Sequence, residues 1–137
     1  MVLALLTMTV ACSESGPEVS DVRIGLPAGP NAALYMTIVG GSESDSVIGA
    51  ATTAARAVEL HESTMNDDGT MGMGELEAIE VPAGATVVLE PGGIHLMLVD
   101  VEPLEVGEEV EVSLTWEHGG DMTLLAEVVP ATEVMGG

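Results

Sequence analysis

The sequence predicts an all-β fold, an antiparallel Greek-key sandwich or barrel, and three observations carry that expectation. Turn residues recur at short and fairly even intervals, the runs between them are rich in Val, Leu, Ile and Thr, and several runs alternate apolar with polar residues. At 137 residues the chain is long enough for one domain with a single core. With 47% hydrophobic residues but one Trp, one Tyr and no Phe, that core has to be filled by aliphatic side chains and Met. β-Branched residues of this kind suit a pleated sheet packed on another sheet.

The chain begins with an apolar stretch over residues 2–10, far short of the roughly 20 residues that span a bilayer. It reads as the hydrophobic part of a secretory signal, ending at Ala11-Cys12 before the polar run Ser13-Glu14-Ser15-Gly16-Pro17. Thr9-Val10-Ala11-Cys12 resembles a bacterial lipobox, whose Cys becomes the lipidated N-terminus of the mature chain. The expected organisation is a lipoprotein-type signal over residues 1–11, a linker over 12–18 and a β-sandwich domain over 19–137. An export signal followed by a lipid anchor at Cys12 implies a place in the periplasm or on the outer face of the cell membrane. Cys12 is the only cysteine, so no internal disulfide is available and the fold must stand on its core.

Beyond the linker, turns are expected at Pro27-Ala28-Gly29-Pro30, Gly40-Gly41-Ser42, Asp67-Asp68-Gly69, Pro82-Ala83-Gly84, Pro91-Gly92-Gly93, Gly107 and Gly119-Gly120. In Val110-Glu111-Val112-Ser113-Leu114-Thr115-Trp116, the residues Val110, Val112, Leu114 and Trp116 share one face of a strand and would enter the core. Met122, Leu124, Ala126 and Val128 repeat the pattern. In Ile94-His95-Leu96-Met97-Leu98 the apolar face is Ile94, Leu96 and Leu98, which leaves His95 and Met97 side by side on the other. Val58-Glu59-Leu60-His61 likewise sets His61 opposite Val58 and Leu60.

The charge is extreme: 23 acidic residues against two arginines, Arg23 and Arg56, give a net charge of −21. Such a surface repels phosphate backbones, which excludes nucleic acid as a partner. Because the acids are spread along the whole chain, they point to salty surroundings more than to one cation-attracting patch.

Metal-binding side chains are grouped. His61 shares a segment with Met65, Met71 and Met73, and His95 with Met97, while His118 stands in the Glu117-His118-Gly119-Gly120 turn and reads as a solvated turn residue. Thioethers are soft and uncharged and favour Cu(I) over Zn, Mg or Ca, and imidazole adds a neutral donor. Unlike thiols, thioethers need no deprotonation to bind a soft cation and form no disulfides in an oxidising compartment. The opposing reading is that His95-Leu96-Met97 is a partly buried surface pair and that the methionines near the turn fill gaps in the core.

From His61 the chain runs eleven residues to Met73, twenty-one to His95 and one to Met97. This spacing resembles the signature of the periplasmic copper chaperones of the PCu(A)C family. Val58-Glu59-Leu60-His61-Glu62, Ile79-Glu80-Val81-Pro82-Ala83-Gly84 and Leu89-Glu90-Pro91-Gly92-Gly93-Ile94-His95-Leu96-Met97-Leu98 are similar to that family's most recognisable stretches. The resemblance implies a cupredoxin-like fold, one Cu(I) held by His61, Met73, His95 and Met97, and no catalysis. It further implies delivery of Cu(I) to an acceptor protein for assembly of the copper centres of cytochrome c oxidase, with an oxidase subunit or a Sco-type protein as partner. Met71 is the rival to Met73, and Met65 reads as a residue outside the ligand set.

Three other functions compete with delivery. An electron-transfer blue-copper protein needs a Cys thiolate beside two His, and the sole Cys12 lies in the signal region. A non-metal lipoprotein module for binding or adhesion would use the methionines for packing alone. Copper storage or resistance would use the same ligands as delivery.

Overall fold

The computed structural model describes residues 16–26 and 29–135, so the signal stretch, Cys12 and the residues Pro27-Ala28 lie outside the described residues. Ten strands follow one another: β1 (Glu18–Gly25), β2 (Ala32–Val39), β3 (Asp45–Ala51), β4 (Ala55–Met65), β5 (Met71–Glu75), β6 (Ile79–Val81), β7 (Thr86–Leu89), β8 (Ile94–Val101), β9 (Glu109–Trp116) and β10 (Gly120–Val129). A short helix, α1 (Ala131–Met135), follows the last strand. The strand order is β5-β4-β8-β2-β1-β10-β9-β3-β6, with β7 pairing beside β8 on the far half of β2. Every pairing is antiparallel except that of β1 with β10, which run parallel through Arg23–Gly25 and Glu127–Val129. The sheet is therefore mixed at one joint and is the expected antiparallel architecture elsewhere.

This sheet folds over on itself, because residues from both of its halves share one core. Leu34, Met36, Leu60, Leu96 and Leu98 from one half meet Val47, Ile79, Val112, Leu114 and Trp116 from the other in a single cluster. The alternation read from the sequence accounts for it. Val110, Val112, Leu114 and Trp116 are all buried, as are Ala126 and Val128, while Met122 and Leu124 pack at the margin. Aliphatic side chains with few rotamers fill the space that aromatic residues occupy in other sandwiches.

Turns fall at the glycines. Gly69, Gly84, Gly92, Gly107 and Gly120 all take positive φ, the left-handed region in which a side chain is strained. Gly40 is required for a different reason: a Cβ there would lie 2.1 Å from the carbonyl oxygen of Pro82, so the two turns can close only without one. The turn of Glu117 to Gly120 is anchored by Asp45, whose carboxylate accepts the backbone N–H groups of His118 at 3.0 Å and Gly119 at 2.9 Å. Burial would raise the Asp45 pKa, but the N–H groups of His118, Ser46 and Gly119 together hold it below the ordinary value. His118 itself is exposed in this turn, as read from the sequence, and Arg23 and Arg56 pair with Asp21 and Asp100 at the surface.

The core predicts a sharp contrast between two leucines. Leu34→Ala, at a fully buried position, is expected to cost about 2–5 kcal/mol of unfolding free energy in chemical denaturation. Leu125→Ala, on the exposed face of β10, is expected to stay within about 0.5 kcal/mol of the unaltered protein. Equal costs would place the core elsewhere.

Candidate metal centre

The site grows out of the pairing of β4 with β8. Leu60 pairs with Leu96 and Val58 with Leu98, so one face of the two strands belongs to the core. The same register sets His61 directly opposite His95 and Glu59 opposite Met97, on the other face. The two imidazoles meet edge to face, with ring centroids 5.7 Å apart. The hairpin of β4 and β5 adds a third strand, in which Met73 pairs with Ser63 and Met71 with Met65. Met73 thus stands two pair positions closer to the histidines than Met71. His61, His95, Met97 and Met73 occupy one face of three adjacent strands, with the two methionines on opposite diagonals of the His pair.

That face is not bare. His95 is only 3% exposed, although it lies outside the main core. Its cover comes from β2, where Tyr35 approaches the His95 ring at a centroid distance of 6.3 Å, and Tyr35 packs in a second small cluster with Val129 and Ala33. A bulge in β1, at Asp21 with its positive φ, shifts the register so that Arg23 pairs with Tyr35. Burial raises the Tyr35 pKa, and the charge of Arg23 opposes the shift. Enclosure falls off across the site: Met97 is half-buried and Met73 is 62% exposed.

Each imidazole is held by one nitrogen and left free at the other. His61 Nε2 lies 2.8 Å from a carboxylate oxygen of Glu59. A carboxylate only accepts, so Nε2 carries the proton and the lone pair of neutral His61 sits on Nδ1. His95 Nδ1 lies 3.3 Å from the carbonyl oxygen of Gly93, which likewise only accepts, so the lone pair of His95 sits on Nε2. The Pro91-Gly92-Gly93 turn presents that carbonyl: Gly92 takes φ +83°, and Gly93 N–H donates to Glu90 O at 3.0 Å. The two remaining nitrogens, His61 Nδ1 and His95 Nε2, are buried and have no hydrogen-bond partner among the described residues. An unsatisfied buried polar atom costs about 1–3 kcal/mol, a cost that a ligand bound to both rings would relieve.

Burial holds His95 below the ordinary imidazole pKa. Its bond to Gly93 works against that shift and the neighbouring His61 adds to it. A neutral ring with a free lone pair is the form a metal takes. Among the described residues no three His, Cys, Asp or Glu side chains cluster as a metal site. An ion at the His pair would therefore draw its further donors from thioethers, which selects a soft cation.

Two contributors escaped the reading of the sequence. Glu59 was legible as a neighbour of His61 on the same face of a strand, two residues away, but nothing local indicates that it turns back to hold the ring. Gly93 acts through its carbonyl, which no side-chain pattern reveals.

The sequence profile of a family described as "Putative lipoprotein LpqE-like" matches residues 17–128. "Putative lipoprotein Lxx21020" of Leifsonia xyli subsp. xyli is 40% identical over 81 residues, and the match covers 58% of this chain and 48% of that protein. The chain thus spans about half the length of this relative. Among solved structures, the copper-bound PCuAC domain from PmoF2 superposes with a TM-score of 0.71 at 26% identity, covering 86% of this chain and 96% of that one. The CuI form of DR1885 from Deinococcus radiodurans gives a TM-score of 0.65 at 28% identity, covering 92% and 85%. The chain belongs to the LpqE-like family, and its domain is of the PCuAC, cupredoxin-like type.

Proposed function

We propose that this protein is an exported, lipid-anchored metallochaperone that binds one Cu(I) through His61, Met73, His95 and Met97 and passes it to an acceptor protein. The observation that carries the reading is the pair of buried, unpartnered nitrogens, His61 Nδ1 and His95 Nε2, on a face that also bears two thioethers. Copper is the cargo. Imidazole binds an ion in its neutral form and both sulfurs are uncharged, so Cu(I) is held by donors that a competing ligand can displace. Met73 is assigned over Met71 because its register position is nearer the histidines.

Similarity to a copper-bound PCuAC domain and to the CuI form of DR1885 supports copper as the metal. The description of the family and of the Leifsonia relative as lipoproteins supports the anchor at Cys12. By resemblance the acceptor is a cytochrome c oxidase subunit or a Sco-type protein engaged in building oxidase copper centres. The half-exposed flank at Met73 suits hand-over, since an acceptor can add its ligands there while the histidines still hold the ion.

A Cu(I) titration of residues 13–137 under anaerobic, reducing conditions against a chromophoric chelator tests the reading. One equivalent is expected to be withdrawn from the chelator, with no comparable binding of Zn(II). His95→Ala combined with Met97→Ala is expected to abolish the competition, and Glu59→Ala to weaken it about tenfold by releasing the His61 ring. No competition by the unaltered protein would leave the non-metal binding module as the function.

The lowered pKa of His95 predicts a pH dependence of the metal-free protein. The folded-state value lies below the ordinary 6.5, so the unfolded chain takes the proton first and stability contributed by neutral His95 is lost as the pH falls below that value. Acidification also relieves repulsion among the carboxylates, but this relief is common to the unaltered protein and to His95→Gln. The stability difference between the two is therefore expected to shift in favour of His95→Gln on going from neutral to mildly acid pH. A pH-independent difference would contradict the burial of His95.

A further inference from the structure

Beyond the His61–His95 pair, the same sheet face continues outward along the β4–β5 hairpin. His61, Ser63 and Met65 follow at alternate positions of β4, so successive members lie about 6.7 Å apart along the strand. Met73 pairs with Ser63, the middle of the three, and Met65 pairs with Met71 at the outer end. Thioether-bearing residues thus occupy the next two rungs beyond the histidines. Met65 lies two such steps, about 13 Å, along the strand from His61, and each single step matches the reach of a Met side chain.

Exposure rises steadily along this row. The His95 residue is 3% exposed and the His61 side chain 16%, against 62% for Met73 and 73% for Met65. Met65 is the most exposed large apolar side chain among the described residues, and the packing of the core takes nothing from it. The hairpin tip that carries it is nonetheless well built. Asn66 N–H donates to Thr70 O at 2.8 Å, Gly69 turns with φ +85°, and Asp68 accepts from both the backbone N–H and the hydroxyl of Thr70. An exposed thioether is therefore displayed at a fixed place beside two exposed carboxylates, Asp67 and Asp68. Carboxylates attract a cation over a distance but are hard ligands that hold Cu(I) poorly, so the soft donor nearest to them is the one that captures it.

We propose that Met65 is an outer Cu(I) site on the hairpin, through which the ion passes by way of Met73 to and from the His61–His95 pair. This inference rests on the ligand set proposed above. Each step is an exchange of one neutral donor for the next. A bond from copper to the incoming sulfur or nitrogen forms as the bond to the outgoing ligand breaks, the ion stays Cu(I), and no electron or proton moves.

Ag(I), a redox-inert stand-in for Cu(I), tests the proposal on the protein labelled with ¹³C at the methionine methyl groups. The first equivalent is expected to shift the methyl signals of Met73 and Met97, and a second to shift or broaden that of Met65. In stopped-flow mixing with a Cu(I)–bicinchoninate complex, Met65→Leu keeps the bulk of the side chain and removes its sulfur. It is expected to slow uptake about fivefold, with the equilibrium end point set by the inner four ligands. A Met65 methyl that stays unmoved through both equivalents while Met73 and Met97 respond, or an unaltered uptake rate in Met65→Leu, would overturn the outer site and leave the inner one standing. Failure of Met73 and Met97 to respond to the first equivalent would overturn the ligand set and the outer site together.

Discussion

The antiparallel register of β4 against β8 is the constraint on which the rest depends. Because facing residues of two paired strands project to the same side, one alignment settles both faces at once. With Leu60 against Leu96 and Val58 against Leu98 the inner face is aliphatic and buried, and the outer face then necessarily carries His61 against His95 and Glu59 against Met97. A slip by one residue would send the histidines into the core and the leucines into the site. The hydrophobic drive that holds the sandwich together is therefore also what brings the two imidazoles within 5.7 Å.

A second layer of interactions decides which atoms are offered. Glu59 and the carbonyl of Gly93 each take one imidazole nitrogen, and they do so at different ring positions, leaving Nδ1 on His61 and Nε2 on His95. Tyr35, packed with Val129, stands beside the His95 ring. The two unpartnered imidazole nitrogens carry a desolvation cost that a bound ion would relieve. On the hairpin side the site is open, so enclosure and access are arranged along one axis of the sheet.

Much of this was legible in the residues. Period-two alternation identified the inward faces of β8, β9 and β10, and the separation of His95 and Met97 by one residue placed them on a common outer face. The glycines of the Pro-Ala-Gly and Pro-Gly-Gly runs marked turns that the structure contains. What was not legible came from partners remote in the chain. The parallel joint of β1 and β10 links segments about a hundred residues apart and leaves no local pattern. His95 is covered by Tyr35, which lies sixty residues away in the sequence. The roles of Glu59 and Gly93 are matters of side-chain rotamer and carbonyl direction, which residue identity does not encode.

X-ray absorption at the copper K edge of the protein loaded with one equivalent of Cu(I) tests whether two imidazoles and two thioethers hold the ion together. The first shell is expected to contain both nitrogen and sulfur scatterers, with the sulfur contribution reduced in Met97→Leu. A shell of nitrogen and oxygen alone in the unaltered protein would contradict this ligand set, because the methionines would then have no part in holding the metal.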